Sequence, residues 1–177
     1  MENEKKIFTV SVYTENNIGL LNRISAIFLK RHVNIESLTS SQSEIENIYR
    51  FVILVTVSET KIKRIIKQIE KQIEVIAAFY HSDKETIFLE TALYKVKSKS
   101  LFEKKDIQKI IKNSQANIVT VSPKYFVIEK TGWRNETEAL YNSLEPFGLL
   151  QFVRSGRISV TKQAMNISDI LKVKKNK

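Results

Sequence analysis

The sequence predicts an α+β fold made of two successive βαββαβ units, each an antiparallel sheet with its helices on one face. Three observations lead to this prediction. Strand-like and helix-like hydrophobic patterns follow one another in the order βαββαβ over the first half of the chain. The same order returns in the second half, and the two units together account for almost all of the 177 residues.

The first unit begins with residues 6–14, which alternate as in a half-buried strand. A helical pattern then runs from Ile18 to near His32. The stretches "VNIESLTSSQ" and "IYRFVILVTV" predict the second and third strands. A stripe of isoleucines from Ile62 to Ile73 predicts a second helix, with Ser58 as its N-cap, and "VIAAFYHS" closes the unit as a fourth strand.

The second unit starts with the strand "TIFLETALYKV", followed by a helix over residues 101–113. The strands "ANIVTVS" and "KYFVIEKTG" come next, and a helix whose capping pair is Asn135 and Glu138 leads to the last strand, "LLQFVRSG". We therefore predict two ferredoxin-like domains, the first over residues 1–82 and the second, C-terminal one over residues 83–165; the resemblance described below implies that the first binds an effector and dimerises. The lysine-rich residues 166–177 have little apolar surface to bury, which predicts a disordered tail.

The composition excludes several classes of function. The absence of cysteine excludes disulfides and thiolate zinc sites, and two histidines leave little for a metal site. Four scattered glycines form no phosphate-binding loop, and no catalytic constellation is evident. The chain shows neither a signal-peptide pattern nor a membrane-length apolar run. These observations predict a cytoplasmic, non-catalytic binding or regulatory module that holds no cofactor of its own and has no membrane partner.

The net charge of +10 leaves a basic nucleic-acid-binding module as an alternative. RNA-recognition domains of this topology display aromatic residues on the third strand, and here Tyr49 and Phe51 lie there. However, the glycine-spaced RNA-binding pattern is missing, the other residues on that face are aliphatic, and the basic residues are spread over both halves. We therefore expect no nucleic-acid partner.

The strongest local signal is "TENNIGLLNRI", residues 14–24, where a strand passes through a short polar turn into a helix. Asn16 and Asn17 are good N-cap residues, and Gly19 is expected in the first helical turn, where close approach of a ligand would explain a glycine. The first backbone N–H groups of a helix are unpaired and attract negative charge. The turn therefore predicts a site for one small carboxylate, the alternative being a plain capped helix.

The stretch "TENNIGLLNRISAIFLKRHVNIESLT" resembles the ACT-domain signature of the small, regulatory subunit of acetolactate synthase (acetohydroxyacid synthase). The resemblance continues through "ALYKV", "IVTVSPKYFVIEKTG" and "LEPFGLLQFVRSG", so that it covers nearly the full length in the same order. It implies an N-terminal ACT domain, a C-terminal ACT-like domain and a subunit without catalytic activity. An ACT-domain regulator of another amino-acid enzyme is the alternative.

The resemblance implies that the chain binds and activates a catalytic large subunit and confers feedback inhibition by valine. Thiamine diphosphate, Mg and FAD would belong to that catalytic partner. ACT domains of this kind form homodimers with the effector at the dimer interface. The effector's carboxylate would then lie on the backbone amides of the turn, and the partner subunit's second strand would complete the site. The positions carried over from the family are Asn16, Ile18, Gly19, Leu20, Leu21, Asn34 and Ile35.

The sequence departs from the family pattern at three places. His32 stands where the family usually has a glycine, so the helix is expected to end in a left-handed conformation that is less favourable for histidine. Ser41 occupies the small-residue position after "NIESLT", close to the effector by analogy. The residues "VTKQ" after "VRSG" replace the usual ending and are expected to affect contact with the catalytic subunit.

Overall fold

The computed structural model describes residues 4–103 and 105–175, and these fall into two units. The first unit combines Met1–Ile87 with Arg157–Lys177, and the second unit is Phe88–Gly156. Each unit is built around its own antiparallel sheet and its own hydrophobic core. The predicted α+β class with two tandem ferredoxin-like units is therefore confirmed.

The first unit has the element order βαββαβ, and its sheet has the strand order β2-β3-β1-β4. All its strand pairs are antiparallel. The apolar faces of the two helices pack on one face of the sheet, against the alternate residues Phe8, Val10 and Val12 of the first strand. The elements are β1 (Lys6–Glu15), α1 (Leu20–Lys30), β2 (Ser37–Gln42), β3 (Ile48–Val57), α2 (Glu59–Ile69) and β4 (Val75–Ser82).

The isoleucine stripe ends earlier than predicted. Ile62, Ile65, Ile66 and Ile69 are buried, and α2 ends at Ile69. Ile73 lies beyond the helix and is fully exposed. Ser58 occupies the predicted N-cap position, although its side chain forms no capping hydrogen bond.

The second unit repeats this topology with the strand order β6-β7-β5-β8. The fully buried Tyr94 donates its hydroxyl to the carbonyl oxygen of Thr137 (2.7 Å), so its polar end is satisfied inside the core. Its last helix is capped at Trp133, whose N–H donates to Glu136, rather than by the predicted pair. The elements are β5 (Thr86–Lys97), α3 (Ser98–Glu103), α4 (Lys105–Asn113), β6 (Asn117–Val121), β7 (Tyr125–Gly132), α5 (Arg134–Leu144) and β8 (Leu149–Arg154).

The end of the chain returns to the first unit and covers the face of its sheet that the helices leave open. Thr9, Ser11 and Tyr13 of β1 point to this face and are nevertheless buried. The covering segment contains β9 (Ile158–Thr161) and α6 (Ile167–Lys175). Leu171 of α6 is completely buried in a cluster with Tyr13, Ile48 and Ala77.

This arrangement differs from the predicted boundaries, which assigned residues 83–165 to the second domain and left 166–177 as a disordered tail. In the structure α6 spans Ile167–Lys175, because Ile167 and Leu171 are four residues apart and lie on one helix face. The lysines between and after them are compatible with a helix whose other face meets water. The prediction of a disordered tail was based on the lysine-rich composition and overlooked this short apolar stripe.

His32 adopts the left-handed conformation expected from its place in the sequence (φ 51°). Its N–H donates to the carbonyl oxygen of Leu29 (2.9 Å), and Val33 N–H donates to that of Phe28 (3.0 Å), so the end of α1 is closed. The exposed imidazole forms no hydrogen bond among the described residues that would offset the cost of this conformation.

Replacing His32 with glycine is therefore expected to raise the free energy of unfolding by about 0.5–1 kcal/mol, because the left-handed strain exceeds the extra entropy that glycine loses on folding. Urea denaturation followed by circular dichroism measures this change. The matched control is Lys67→Gly on the exposed face of α2, which should lower stability by about 1 kcal/mol. A loss of stability for both variants would contradict the assignment.

Candidate functional site

The turn between β1 and α1 has open space above its glycine. Gly19 lies at the N-cap position with φ 82° and ψ −2°, a left-handed conformation that glycine adopts readily. A Cβ atom added there would meet no heavy atom within 4 Å. The glycine is therefore required by the backbone conformation, and the space beside it is free for a ligand.

Two N–H groups in the first turn of α1 have no backbone acceptor among the described residues. Leu20 N–H donates weakly to the carbonyl oxygen of Asn17 (3.4 Å), and the first regular helical bond runs from Arg23 to Gly19 (3.2 Å). Within the described part of the chain, no backbone acceptor is found for the N–H groups of Leu21 and Asn22. The first turn carries no acidic residue. Two free donors at the positive end of a helix form an arrangement that binds a carboxylate.

The predicted capping by Asn16 and Asn17 is wrong. Gly19 takes the N-cap position, and no side chain caps α1. Both asparagines are exposed, and Asn17 contributes its backbone carbonyl instead of its side chain. The reason is that the chain makes a further turn after β1 before the helix begins. The absence of a side-chain cap is what leaves the helix N-terminus free for another anion.

The nearby charges do not fill this space. Arg23, one turn into α1, forms an ion pair with Glu74 (2.7 Å). A hydrogen bond from the Glu74 backbone, assisted by Arg23, holds the pKa of the Glu74 carboxyl below its ordinary value. Glu74 therefore stays ionised at neutral pH and engages the Arg23 guanidinium. The attraction for an anion at the turn comes from the helix end itself.

Aliphatic side chains flank the free donors, but not all of those predicted. Ile18 is fully exposed and Leu21 is 42% exposed, so both are uncovered beside the turn. Leu20 is buried in the core of the first unit and contributes its backbone to the turn rather than an apolar wall. Two uncovered aliphatic residues beside free backbone donors would suit an amphipathic ligand with a short apolar chain.

Asn34 and Ile35 connect α1 to β2, away from the turn. The side chain of Asn34 is exposed and lines an open groove of about 470 Å³ with His32, Glu36 and Lys61. Ile35 is partly buried and packs against the first core. Because Ile35 is already engaged in its own unit, only Asn34 of this pair presents a free polar group.

The structure does not bring Asn34 and the turn together within one chain. The first residue of β2, Ser37, pairs with Leu54 of β3, and Leu54 pairs with Thr9 near the start of β1. The turn, by contrast, follows Glu15 at the other end of β1. Six residues of strand separate these levels, which is about 20 Å along the sheet. Asn16, Ile18, Gly19, Leu20 and Leu21 thus form one half of the predicted site, and Asn34 with Ile35 lies at the opposite end of the sheet.

Metal sites and membrane-spanning helices were also sought among the described residues. The residues that the structure describes contain no group of three or more His, Cys, Asp or Glu side chains placed to hold a metal ion. In the same residues no helix is long and apolar enough to cross a membrane.

Sequence reasoning missed the polar residues on the open face of the first sheet. Arg157 is buried, and its Nη1 donates to Thr9 Oγ1 (2.9 Å) and to Asp83 Oδ1 (2.6 Å). Arg50 of β3 donates to Ser11 Oγ (3.0 Å) and to the carbonyl oxygen of Ser159 (2.7 Å). The only sequence signal for this face was the polar residues that alternate with the apolar core residues of β1.

Comparison with protein families gives two matches that lie side by side on the chain. Residues 10–77 match the model of the "AHAS small subunit-like ACT domain", and residues 89–163 match the model of the "Small subunit of acetolactate synthase".

Similar proteins cover most of the chain. An acetolactate synthase small subunit of Mycobacterium bovis is 34% identical over 89% of this chain and 93% of its own length. One from Bacillus subtilis is 36% identical over 86% of this chain and 87% of its own length. The crystal structure of an acetolactate synthase small subunit from Thermotoga maritima is 27% identical, with a TM-score of 0.80 over 90% of this chain and 99% of the other.

Proposed function

Because the chain belongs to the family of acetolactate synthase small subunits, we propose that it binds and activates the catalytic large subunit and mediates feedback inhibition by valine. In this proposal the chemistry takes place on the large subunit, which carries thiamine diphosphate, Mg²⁺ and FAD. The present chain contributes none of these cofactors. Its own role is to bind an effector and to transmit the binding to its partner.

The observation that carries the proposal is the uncapped start of α1. Two backbone N–H groups without acceptors, an open space above Gly19 and a first turn without acidic residues offer a valine carboxylate what it needs. Hydrogen bonds to an ionised acceptor are stronger than neutral ones. Ile18 and Leu21 supply aliphatic surface for the isopropyl group.

A second copy of the chain supplies the other half of the site in this proposal. β2 is an edge strand, and a two-fold axis that pairs it with its own copy makes the two β2 strands antiparallel. The start of one β2 then lies beside the end of the other. Since the end of β2 at Gln42 lies level with Thr14, next to the turn, the partner's Asn34 comes close to the turn.

Inhibition then follows from differential binding. Valine shifts the activity of the complex only if it binds the inhibited arrangement more tightly than the active one. The coupling is reciprocal, so association with the large subunit changes the affinity for valine by the same factor. A site shared by two chains meets this requirement, because any change in the β2–β2 contact changes the distance between its halves.

Placing a carboxylate at the turn tests the proposal. Gly19→Asp is expected to raise the valine concentration needed for half-inhibition by about 100-fold, because the new carboxylate occupies the free amides and repels the ligand's own. Activation of the large subunit should persist. The measurement is acetolactate formation by the reconstituted complex over a valine titration.

The matched control is Gly19→Asn, which has the same shape without the charge and tolerates the left-handed conformation equally well. It is expected to stay within about tenfold of the wild type. If Gly19→Asp keeps full valine sensitivity, the turn is not the effector site. If the wild-type chain neither copurifies with the large subunit nor raises its activity, the regulatory role itself is refuted.

A further inference from the structure

A partly open cavity of about 150 Å³ lies on the face of the first sheet that the helices leave free, beneath the C-terminal segment. Residues of the segment 159–167 line it from one side, and residues of β1, β3 and β4 together with Thr86 line the rest. It includes neither Gly19 nor Asn34 and therefore differs from the effector site proposed above. A cavity of this volume accommodates a ligand of about six non-hydrogen atoms.

The C-terminal segment is fixed on both sides of this cavity. At one side the buried Arg157 binds Thr9 and Asp83, and Thr39 Oγ1 donates to its carbonyl oxygen (3.3 Å). At the other side Leu171 is completely buried. The cavity is therefore part of the folded first unit rather than a gap beneath a loose tail.

The cavity has one strong donor that lacks an acceptor. Arg50 projects into it from β3 and binds Ser11 and Ser159 through Nη2, whereas its buried Nε–H has no hydrogen-bond partner. Among the described residues no carboxylate lies within ion-pair distance of Arg50. Arg50 itself is partly buried, and a buried N–H donor of a cation is costly to leave unpaired unless an acceptor such as an anion joins it.

The other lining groups add no charge. Burial lowers the pKa of His81, with Glu85 opposing the shift, which favours the neutral imidazole. Burial likewise raises the pKa of Tyr13, which therefore keeps its proton. No aspartate or glutamate is found among the described residues that line the cavity, so Arg50 is its one charged side chain.

The cavity is lined by both polar and apolar groups. Around Arg50, Ser11 Oγ and the carbonyl oxygen of Ser159 accept hydrogen bonds, and the Tyr13 ring lies 5.7 Å from the guanidinium. The apolar part of the lining comes from Phe79, Val160, Met165 and Ile167. Such a lining suits a ligand with one carboxylate and a short hydrocarbon body.

We propose that this cavity is a second ligand site, which binds a small monocarboxylate without an ammonium group through the Arg50 guanidinium. The carboxylate pairs with Arg50, and the hydrocarbon body contacts Phe79 and Met165. An amino acid is rejected because no acidic side chain lines the cavity to pair with its ammonium group. This selectivity is opposite to that of the proposed valine site, and the inference does not depend on the regulatory role.

Isobutyrate and alanine form a matched pair of probes, since they differ by a methyl group in place of an ammonium group. The chain has two methionines, and Met165 lines the cavity. In the full chain labelled with ¹³C-methyl methionine, isobutyrate is expected to shift the Met165 methyl signal saturably and to leave the Met1 signal unchanged. Alanine at the same concentrations is expected to leave both signals in place.

Arg50→Leu is expected to weaken isobutyrate binding at least about tenfold, as expected for loss of a charged hydrogen bond. The control Arg64→Leu removes the same charge from the exposed surface of α2 and should bind as the wild type does. Arg50→Lys should retain more affinity than Arg50→Leu, and Gly19→Asp should leave the Met165 response unchanged.

Three results would overturn the proposal: an unshifted Met165 signal with isobutyrate, an equal response to alanine, or wild-type affinity in Arg50→Leu. If Arg50→Leu fails to fold, two measurements still test the proposal. They are the comparison of isobutyrate with alanine on the wild-type chain and the isobutyrate affinity of Arg50→Lys. In that case, loss of the difference between isobutyrate and alanine refutes the charge selectivity on which the proposal rests.

Discussion

Replacing Leu171 with alanine is expected to lower the free energy of unfolding of the first unit by about 2–4 kcal/mol. Leu171 has no exposed surface and packs among Tyr13, Ile48 and Ala77 on the open face of the sheet. Truncation removes three buried carbon atoms and leaves a cavity that the rigid sheet cannot close. An effect of this size in the last seven residues of the chain would be unexpected for a frayed terminus.

The experiment follows urea unfolding by far-ultraviolet circular dichroism and by the fluorescence of Trp133, the single tryptophan, which lies in the second unit. Val173→Ala is the matched control, because Val173 lies on the same helix and is 59% exposed. It should change stability by less than about 0.5 kcal/mol. Leu144→Ala, in the core of the second unit, should instead destabilise the transition that Trp133 reports.

If Leu171→Ala and Val173→Ala have the same small effect, α6 does not belong to the core of the first unit. Since Ile167 of α6 lines the cavity above Arg50, this measurement also bears on the second ligand site. A large effect would instead establish that the first unit is completed by the end of the chain. A fragment that stops after β4 should in that case be less stable than the same unit in the full chain.

The sequence predicted the position of a strand accurately where the residues on both of its faces are apolar or β-branched. The predicted stretch "IYRFVILVTV" coincides with β3, Ile48–Val57, because it is rich in the β-branched and aromatic residues that favour strands. The isoleucine stripe predicted α2, and its end was misplaced because Ile73 continues the spacing without being buried. Periodicity indicates which residues can face a core but not where the core ends.

The start of α1 shows a different limit. Asparagine is a favourable N-cap residue, yet the helix begins after Gly19, because β1 runs on to Glu15 and the chain needs a left-handed residue to turn back over the sheet. The length of β1 is fixed by its pairing with β3 and β4, which local sequence does not record. The anion site at this turn stays a prediction, and the corrected cap does not change it, since it rests on the glycine and the helix start rather than on the identity of the cap.

The cavity above Arg50 could not be predicted from the sequence. Its walls come from strands far apart along the chain and from a C-terminal segment that crosses them after a whole intervening unit. Thr9, Ser11 and Tyr13 alternate with apolar residues along β1, and such alternation usually indicates that the more polar residues face solvent. Only the return of residues 157–175 turns that face into an interior.

The arrangement of the proposed valine site in two chains predicts a specific pattern of complementation. Gly19→Asp damages the turn, and Asn34→Ala damages the other half, so dimers of either variant alone should bind valine weakly. A heterodimer with one substitution in each chain contains one site with both defects and one intact site. It is therefore expected to bind about half as much valine per dimer as the wild type.

The control heterodimer joins a wild-type chain to a chain that carries both substitutions. It has the same composition, but each of its shared sites has one defect, so it should bind almost no valine. Two affinity tags allow both heterodimers to be purified, and calorimetry gives the number of valine molecules bound. If the site were formed within a single chain, the result would be reversed, because the wild-type chain of the control would keep its own site. The register of β1, β2 and β3 favours the shared arrangement, because the two levels of the sheet next to which Gly19 and Asn34 lie are about 20 Å apart.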